Sequence, residues 1–122
     1  MLSSYRVTGR AHEIEAVETI LGVLRGAGFP DPEAVRIYHA FVDQALAFAA
    51  LDAASTSLPR AAREAEARVW RATYARLPAD THPHIAATAR HLAADMRHSS
   101  YPAALDLLLS AAAARLAEIA GP

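Results

Sequence analysis

Cysteine is missing from the 122 residues of this chain, and so is lysine, because all twelve cationic side chains are arginines. Without cysteine the chain has no disulfide, no thiolate nucleophile and no cysteine-ligated zinc. No apolar run approaches the roughly 20 residues that a membrane-crossing helix needs, and the stretch MLSSYRVTGRAHEIE lacks the apolar segment of a signal peptide. We therefore expect a cytoplasmic protein without membrane contact.

A surplus of positive charge is also missing. The formal net charge is −1, whereas a domain that binds nucleic acid through its phosphates concentrates positive charge. The five glycines are scattered, so there is no glycine-rich phosphate loop, and no Gly-x-Ser-x-Gly turn presents a nucleophilic serine. We expect no nucleic-acid binding through this chain alone, no cofactor and no enzymatic activity.

The residues that are present favour a folded, all-α protein. Hydrophobic residues make up 53% of the chain and charged residues 20%, which excludes disorder, and the length suits a single domain over residues 1–122. Helical periodicity recurs along the chain, while the alternating pattern of strands does not. The sequence predicts five helices, at residues 10–27, 31–55, 60–77, 83–97 and 102–120.

The ends of these helices carry recognisable residues. Gly28 and Gly121 follow the first and last helices, where a glycine can adopt the left-handed conformation of a C-terminal cap. Asp31 is the expected N-cap of the second helix, and Pro83 suits the first turn of the fourth.

The second and last helices have more apolar surface than one neighbouring helix can cover. Large apolar residues, among them Val35, Leu46 and Leu51, spread over more than half of the second helix. The last helix offers a broad core stripe of Leu105, Leu108, Leu109, Ala112, Leu116 and Ile119. Both helices have a further face of small residues, consisting of Ala40, Ala47, Ala50 and Ala54 on the second helix and Asp106, Ser110, Ala113 and Ala117 on the last.

Small residues four apart allow another helix to approach closely. Two such helices from each of two copies would form an intermolecular four-helix bundle with the two-fold symmetry of a homodimer. The alternative is that helices of the same chain cover both faces.

Gln44 is the most informative polar residue, because Ile37, Phe41, Phe48 and Leu51 surround it on one helical face. An amide in such surroundings costs free energy unless a ligand or another helix provides a partner. Aromatic walls around a few polar groups are typical of a small-molecule site. The expected ligand-binding residues are Tyr38, Phe41, Gln44, Phe48, Asp52, Trp70 and Tyr74. The alternative is an aromatic core in which Gln44 bonds internally.

Polar residues line one side of the fourth helix: His84, Thr88, His91, Asp95 and His98. Histidines seven residues apart are separated by about 10.5 Å along a helix and cannot share one ion. We therefore predict no metal site. An enzyme that uses His91 or His84 as a general base, oriented by Asp95, is the least favoured function.

Arginines also recur on the third helix, at Arg60, Arg63, Arg68, Arg71 and Arg76. Because Glu64 and Glu66 interleave with them, we expect a solvated face rather than a phosphate-binding patch.

The order of several short motifs resembles a known family. LRGAGF ends the first helix at residues 24–29, HPH begins the fourth at 82–84, and ALDLLLSA lies in the last helix at 104–111. This pattern resembles the C-terminal regulatory domain of TetR-family transcriptional repressors and spans nearly the whole chain. Ala104 and Ala111 stand where family members often have glycines.

The resemblance implies a domain that binds a small effector among its helices and dimerises through a four-helix bundle that includes the last helix. The family's helix-turn-helix has no counterpart in these residues, so DNA binding is expected only through such a missing module. Two hypotheses follow: an effector-sensing dimerisation domain, or a stand-alone helical oligomerisation protein without a ligand.

Overall fold

A computed structural model describes residues 2–122, with side chains from Arg10 onward. The described residues contain no strand. The five helices are α1 (Leu2–Ala27), α2 (Asp31–Thr56), α3 (Arg60–Arg76), α4 (Pro83–Asp95) and α5 (Tyr101–Ala120). The prediction of an all-α chain of five helices is confirmed.

The predicted helix ends differ from those of the structure by at most two residues, except at the start of α1. That helix begins at Leu2 rather than Arg10. Residues 2–9 contain a glycine and several polar residues, so they show no repeating apolar pattern from which a helix could be predicted.

The turn between α1 and α2 is a Schellman motif. The N–H of Gly28 donates to the carbonyl of Arg25 at 3.1 Å, and the N–H of Phe29 donates to the carbonyl of Leu24 at 3.2 Å. Gly28 has a φ of 118°, a conformation that disfavours any residue with a Cβ. The predicted glycine cap is therefore confirmed, and it sets where the chain turns into α2.

The predicted N-cap of α2 is wrong by one residue. The carbonyl of Pro30 accepts the first helical bond, from the N–H of Ala34 at 2.9 Å, so Pro30 holds the cap position and Asp31 is already helical. The Asp31 carboxylate instead accepts a hydrogen bond from Nε of Arg25 at 2.8 Å. Asp31 and Glu33 lie in the first turn, where negative charge interacts favourably with the helix dipole.

The other expected helix ends are confirmed. Pro83 opens α4, and the carbonyl of His82 before it accepts from the N–H of Ala86 at 3.0 Å. Gly121, with a φ of 69°, follows α5 and donates to the carbonyl of Ala117 at 3.3 Å.

The chain divides into two compact units. Unit 1 comprises residues 1–45 and 103–122, and unit 2 comprises Leu46–Pro102. Unit 1 thus contains α1, the first part of α2 and nearly all of α5, whereas unit 2 contains the rest of α2 with α3 and α4. The single domain expected over residues 1–122 stays a prediction.

Few side chains are buried. Phe29 and Ala34, both in unit 1, are the only buried hydrophobic residues among those described. Leu109, which was expected in the core stripe of the last helix, is exposed, and so are Val35, Leu46 and Leu51 among the large apolar residues of α2. The helical pattern located the apolar positions correctly, but which of them face a neighbour depends on the packing of the other helices.

Candidate functional site

Gln44 lies on α2 within unit 1 and is only half satisfied. Its Nε2 donates to the backbone carbonyl of Ala104 on α5 at 3.1 Å. Its Oε1 is buried and has no hydrogen-bond partner among the described residues. Because the Ala104 carbonyl can only accept, it fixes the amide orientation and leaves the oxygen as the unpaired atom. The expected partner on another helix is therefore found for Nε2 of Gln44, whereas Oε1 has none among the described residues.

Two of the expected aromatic ligand contacts lie in the same unit as Gln44. Phe41, about one turn before it on α2, and Tyr38, nearly two turns before it, are half-buried. These side chains place a hydroxyl and two aromatic rings on the helix that carries the unpaired amide oxygen.

The remaining expected contacts lie in unit 2 and make three separate interactions. Phe48 packs edge-on against Tyr101, with ring centroids 5.4 Å apart, and Asp52 accepts a hydrogen bond from Oγ of Ser99 at 2.8 Å. Trp70 and Tyr74 pack at 5.6 Å on α3. Each of these groups already has a partner, and the ligand-binding role of the seven residues stays a prediction.

The eight small-residue positions expected at a dimer interface are all exposed. We call Asp106, Ser110, Ala113 and Ala117 the α5 face, and Ala40, Ala47, Ala50 and Ala54 the α2 strip. Leu107, next to the α5 face, is 73% exposed, and Leu109 is 51% exposed. The α5 face belongs entirely to unit 1, and its surroundings are apolar.

The opposite side of α5 is tied to α2 by charge. Arg115 donates from Nε and Nη2 to the two carboxylate oxygens of Glu33, and from Nη1 to Glu118 at 3.0 Å. The Glu33 side chain is only 18% exposed. The hydrogen bond from Arg115 lowers the pKa of Glu33, since it favours the carboxylate. This two-point contact helps to fix which side of α5 faces α2 and which side remains open.

Three of the cavities in unit 2 are lined by none of the seven expected ligand contacts. The smallest of these three, about 490 Å³, lies against Thr88, His91 and Asp95 of the polar side of α4 and against His98 just after the helix. Within residues described by the structure, no three histidine or carboxylate side chains come together as metal ligands.

The other two cavities involve arginines that the sequence alone did not single out as a site. Arg71 of α3 and Arg97, just after α4, line both. The pattern along α3 showed only a charged face, because the contribution of α4 depends on how the two helices pack.

A comparison with protein-family models identifies the fold. Residues 1–116 match the model described as "Tetracyclin repressor-like, C-terminal domain". The chain belongs to the TetR C-terminal domain family. TetR C-terminal domains belong to regulatory proteins rather than enzymes and typically bind effectors and dimerise.

No curated protein and no solved structure gives a significant match to this TetR C-terminal domain. None of the helices in the described part of the chain combines the length and apolarity that crossing a membrane requires.

Proposed function

We propose that this chain is the effector-sensing and dimerisation domain of a TetR-like transcriptional regulator. It forms a homodimer and binds a small apolar or aromatic molecule. The observation that carries the proposal is the α5 face, an exposed surface of small residues on a helix whose other side is already engaged.

Dimerisation follows from what the α5 face offers. Three of its four residues are alanine or serine, so the backbone of a second helix can approach closely. Contiguous exposed apolar surface on a soluble protein indicates an interaction site. In a two-fold interface the same patch serves both partners, which suits a face of small residues that fits its own copy.

Effector binding is supported by the unpaired Oε1 of Gln44. A buried acceptor without a donor costs about 1–3 kcal/mol, and an effector that supplies the donor would recover that free energy. Tyr38 and Phe41, on the same helix, would contact its apolar part. The effector changes the protein only if it prefers one arrangement of the helices.

The dimer is tested by measuring the molar mass of the 122-residue chain by light scattering after size exclusion. We expect twice the chain mass of 13.0 kDa. A mass of one chain at every concentration would refute the dimer.

The effector is tested by thermal melting with a panel of neutral apolar and aromatic compounds carrying a hydrogen-bond donor. A compound at 100 times its Kd stabilises the native state by about 2.7 kcal/mol, which raises the midpoint measurably. The shift should disappear in Gln44→Met, which keeps the shape of the side chain. A dimer whose midpoint no compound moves would favour the stand-alone oligomerisation protein.

A further inference from the structure

Unit 2 contains two adjoining cavities that the proposed function does not use. The first has a volume of about 730 Å³ and is lined by the end of α2, by α3 and by the segment after α4. The second, about 560 Å³, lies between α3 and α4. Both are lined by Arg71 and Arg97, so the two cavities meet at these side chains. We call the pair the arginine cleft.

The arginine cleft is strongly positive. Its lining contains six of the twelve arginines of the chain, namely Arg60, Arg63, Arg68, Arg71, Arg90 and Arg97. Two carboxylates, Glu64 and Glu66, oppose them. This concentration occurs in a protein whose net charge is −1, so positive charge is gathered in the cleft rather than spread evenly.

Little of this charge is neutralised by the protein. Glu64 is paired with Arg60, whose Nε lies 3.0 Å from its carboxylate. Within the described part of the chain, neither Arg71 nor Arg97 has a carboxylate within ion-pair distance. Guanidinium groups bind carboxylates and phosphates through paired hydrogen bonds. The cleft therefore offers donors to an anion from outside.

Apart from Ser55 and the two carboxylates, the remaining surface of the arginine cleft is apolar. Alanines of α3 and α4 form the lining of the second cavity apart from its three arginines. Leu58 and Met96, which line the first cavity, are 48% and 43% exposed. An inorganic anion would leave this surface in water, whereas a molecule with a hydrocarbon or aromatic body would cover it.

We propose that the arginine cleft binds a small amphiphilic anion, with its phosphate or carboxylate head between Arg71 and Arg97 and its apolar body against the alanines. Each cavity falls in the size range of about 300–1,000 Å³ that is typical of small-molecule sites. This site is additional to the effector site of the proposed function and shares none of its seven residues.

The test is titration calorimetry of the full 122-residue chain with four probes, each below its micelle concentration: decyl phosphate, decanoate, 1-decanol and inorganic phosphate. Decyl phosphate tests a phosphate head group, and decanoate tests a carboxylate head group. Decanol lacks the charge, and inorganic phosphate lacks the apolar body. We expect at least one of the charged amphiphiles to bind about tenfold or more tightly than decanol and inorganic phosphate.

Variants locate the binding. Arg71→Gln with Arg97→Gln removes the two shared guanidiniums and should weaken binding about tenfold or more. Arg76→Gln is the matched control, since Arg76 lies on α3 but lines neither cavity. It should bind as the wild type does. Circular dichroism checks that the helices are intact. Arg90→Gln affects the second cavity alone, and its binding affinity tests the cleft independently if the double variant loses structure.

Three results would overturn the proposal: no binding of either charged amphiphile, equally tight binding of decanol, or an equal loss of affinity in Arg76→Gln. None of them affects the proposed function, which depends on the dimer mass and on neutral compounds acting through Gln44. Conversely, amphiphile binding at Arg71 and Arg97 by a monomeric chain would support the cleft while refuting the dimer.

Discussion

The two units of this chain differ in charge and in the kind of surface that they expose. Unit 1 carries five arginines and eight carboxylates, a net charge of −3, whereas unit 2 carries seven arginines and five carboxylates, a net charge of +2. Unit 1 exposes the α5 face, with its small residues, while unit 2 exposes the arginine cleft. We propose the first surface for a second copy and the other for an anion, a division that the net charge of the chain conceals.

The largest expected effect comes from adding a second charge to the α5 face of unit 1, which already contains Asp106. Ala113→Glu would introduce a further unpaired carboxylate on a longer side chain where the second helix must approach closely, at a cost of about 3 kcal/mol or more, which corresponds to a roughly 100-fold weaker dimer. Sedimentation velocity over a concentration series measures the change.

Ala111→Glu is the control, because Ala111 is also exposed on α5 but lies about 120° around the helix from the centre of the α5 face. It should leave the dimer intact. If both variants dissociate to the same extent, the α5 face has no special role in assembly.

Two glycines near the end of α1 should respond in opposite ways to replacement by alanine. Gly28→Ala should lower the free energy of unfolding by about 1–2 kcal/mol, because alanine disfavours a positive φ. The added methyl would lie 3.5 Å from Cδ1 of Leu116, an ordinary contact, so the loss reports backbone strain alone. Gly26→Ala, within α1 and with open space around it, should instead stabilise by about 0.5–1 kcal/mol. Urea denaturation measures both, and effects of the same sign would contradict the cap.

Gln44 is the polar exception in an apolar part of unit 1. Gln44→Met removes the unpaired oxygen. The Ala104 carbonyl loses the bond from Nε2 but remains part of the hydrogen-bonded helix α5. We expect the free energy of unfolding to rise by about 1 kcal/mol in the absence of any effector, as measured by urea denaturation. A fall of similar size would mean that the hydrogen bond from Nε2 to Ala104 contributes more to stability than the unpaired oxygen costs.

The smallest expected effect concerns the link between α2 and α5. Because the pKa of Glu33 is lowered in the folded state, its contribution to stability is present above its ordinary pKa of 4.5 and is lost as the pH falls through the folded value. Glu33→Gln should therefore lower the thermal midpoint slightly at pH 7, and the difference should vanish in acid. Asp43→Asn, at an exposed position on the same helix, is the control and is melted at the same pH values. A difference for Glu33→Gln that persists unchanged at low pH would show that charge is not its cause.

The helices could be predicted from the sequence because their ends have local causes. Gly28 ends α1 through its positive φ, Pro83 opens α4, and Gly121 closes α5. The start of α1 was predicted eight residues too late, because residues 2–9 lack a periodic apolar pattern. Asp31 is not the cap, because the helix starts one residue earlier, where the carbonyl of Pro30 accepts the first helical hydrogen bond. Its carboxylate instead binds Arg25 in the last turn of α1.

The sites were less predictable, because they depend on how helices meet. The sequence indicated that Gln44 needs a partner, but not that the carbonyl of Ala104 would satisfy only its Nε2. Leu109 was expected in the core because α5 is apolar on several sides, and the position of α2 decides which side is covered. The arginine cleft needs Arg90 and Arg97 from the α4 region beside Arg71, a juxtaposition that no single helical pattern contains.

The most direct test of the account uses the absence of cysteine from the chain. A single cysteine introduced at Asp106, Ser110, Ala113 or Ala117 would be the only thiol, and across a two-fold interface a residue near the axis meets its own copy. Under mild oxidation, we expect at least one of these four variants to form a covalent dimer on a non-reducing gel, while Ala111→Cys stays monomeric. Covalent dimer from none of the four, or as much from Ala111→Cys, would contradict pairing through the α5 face.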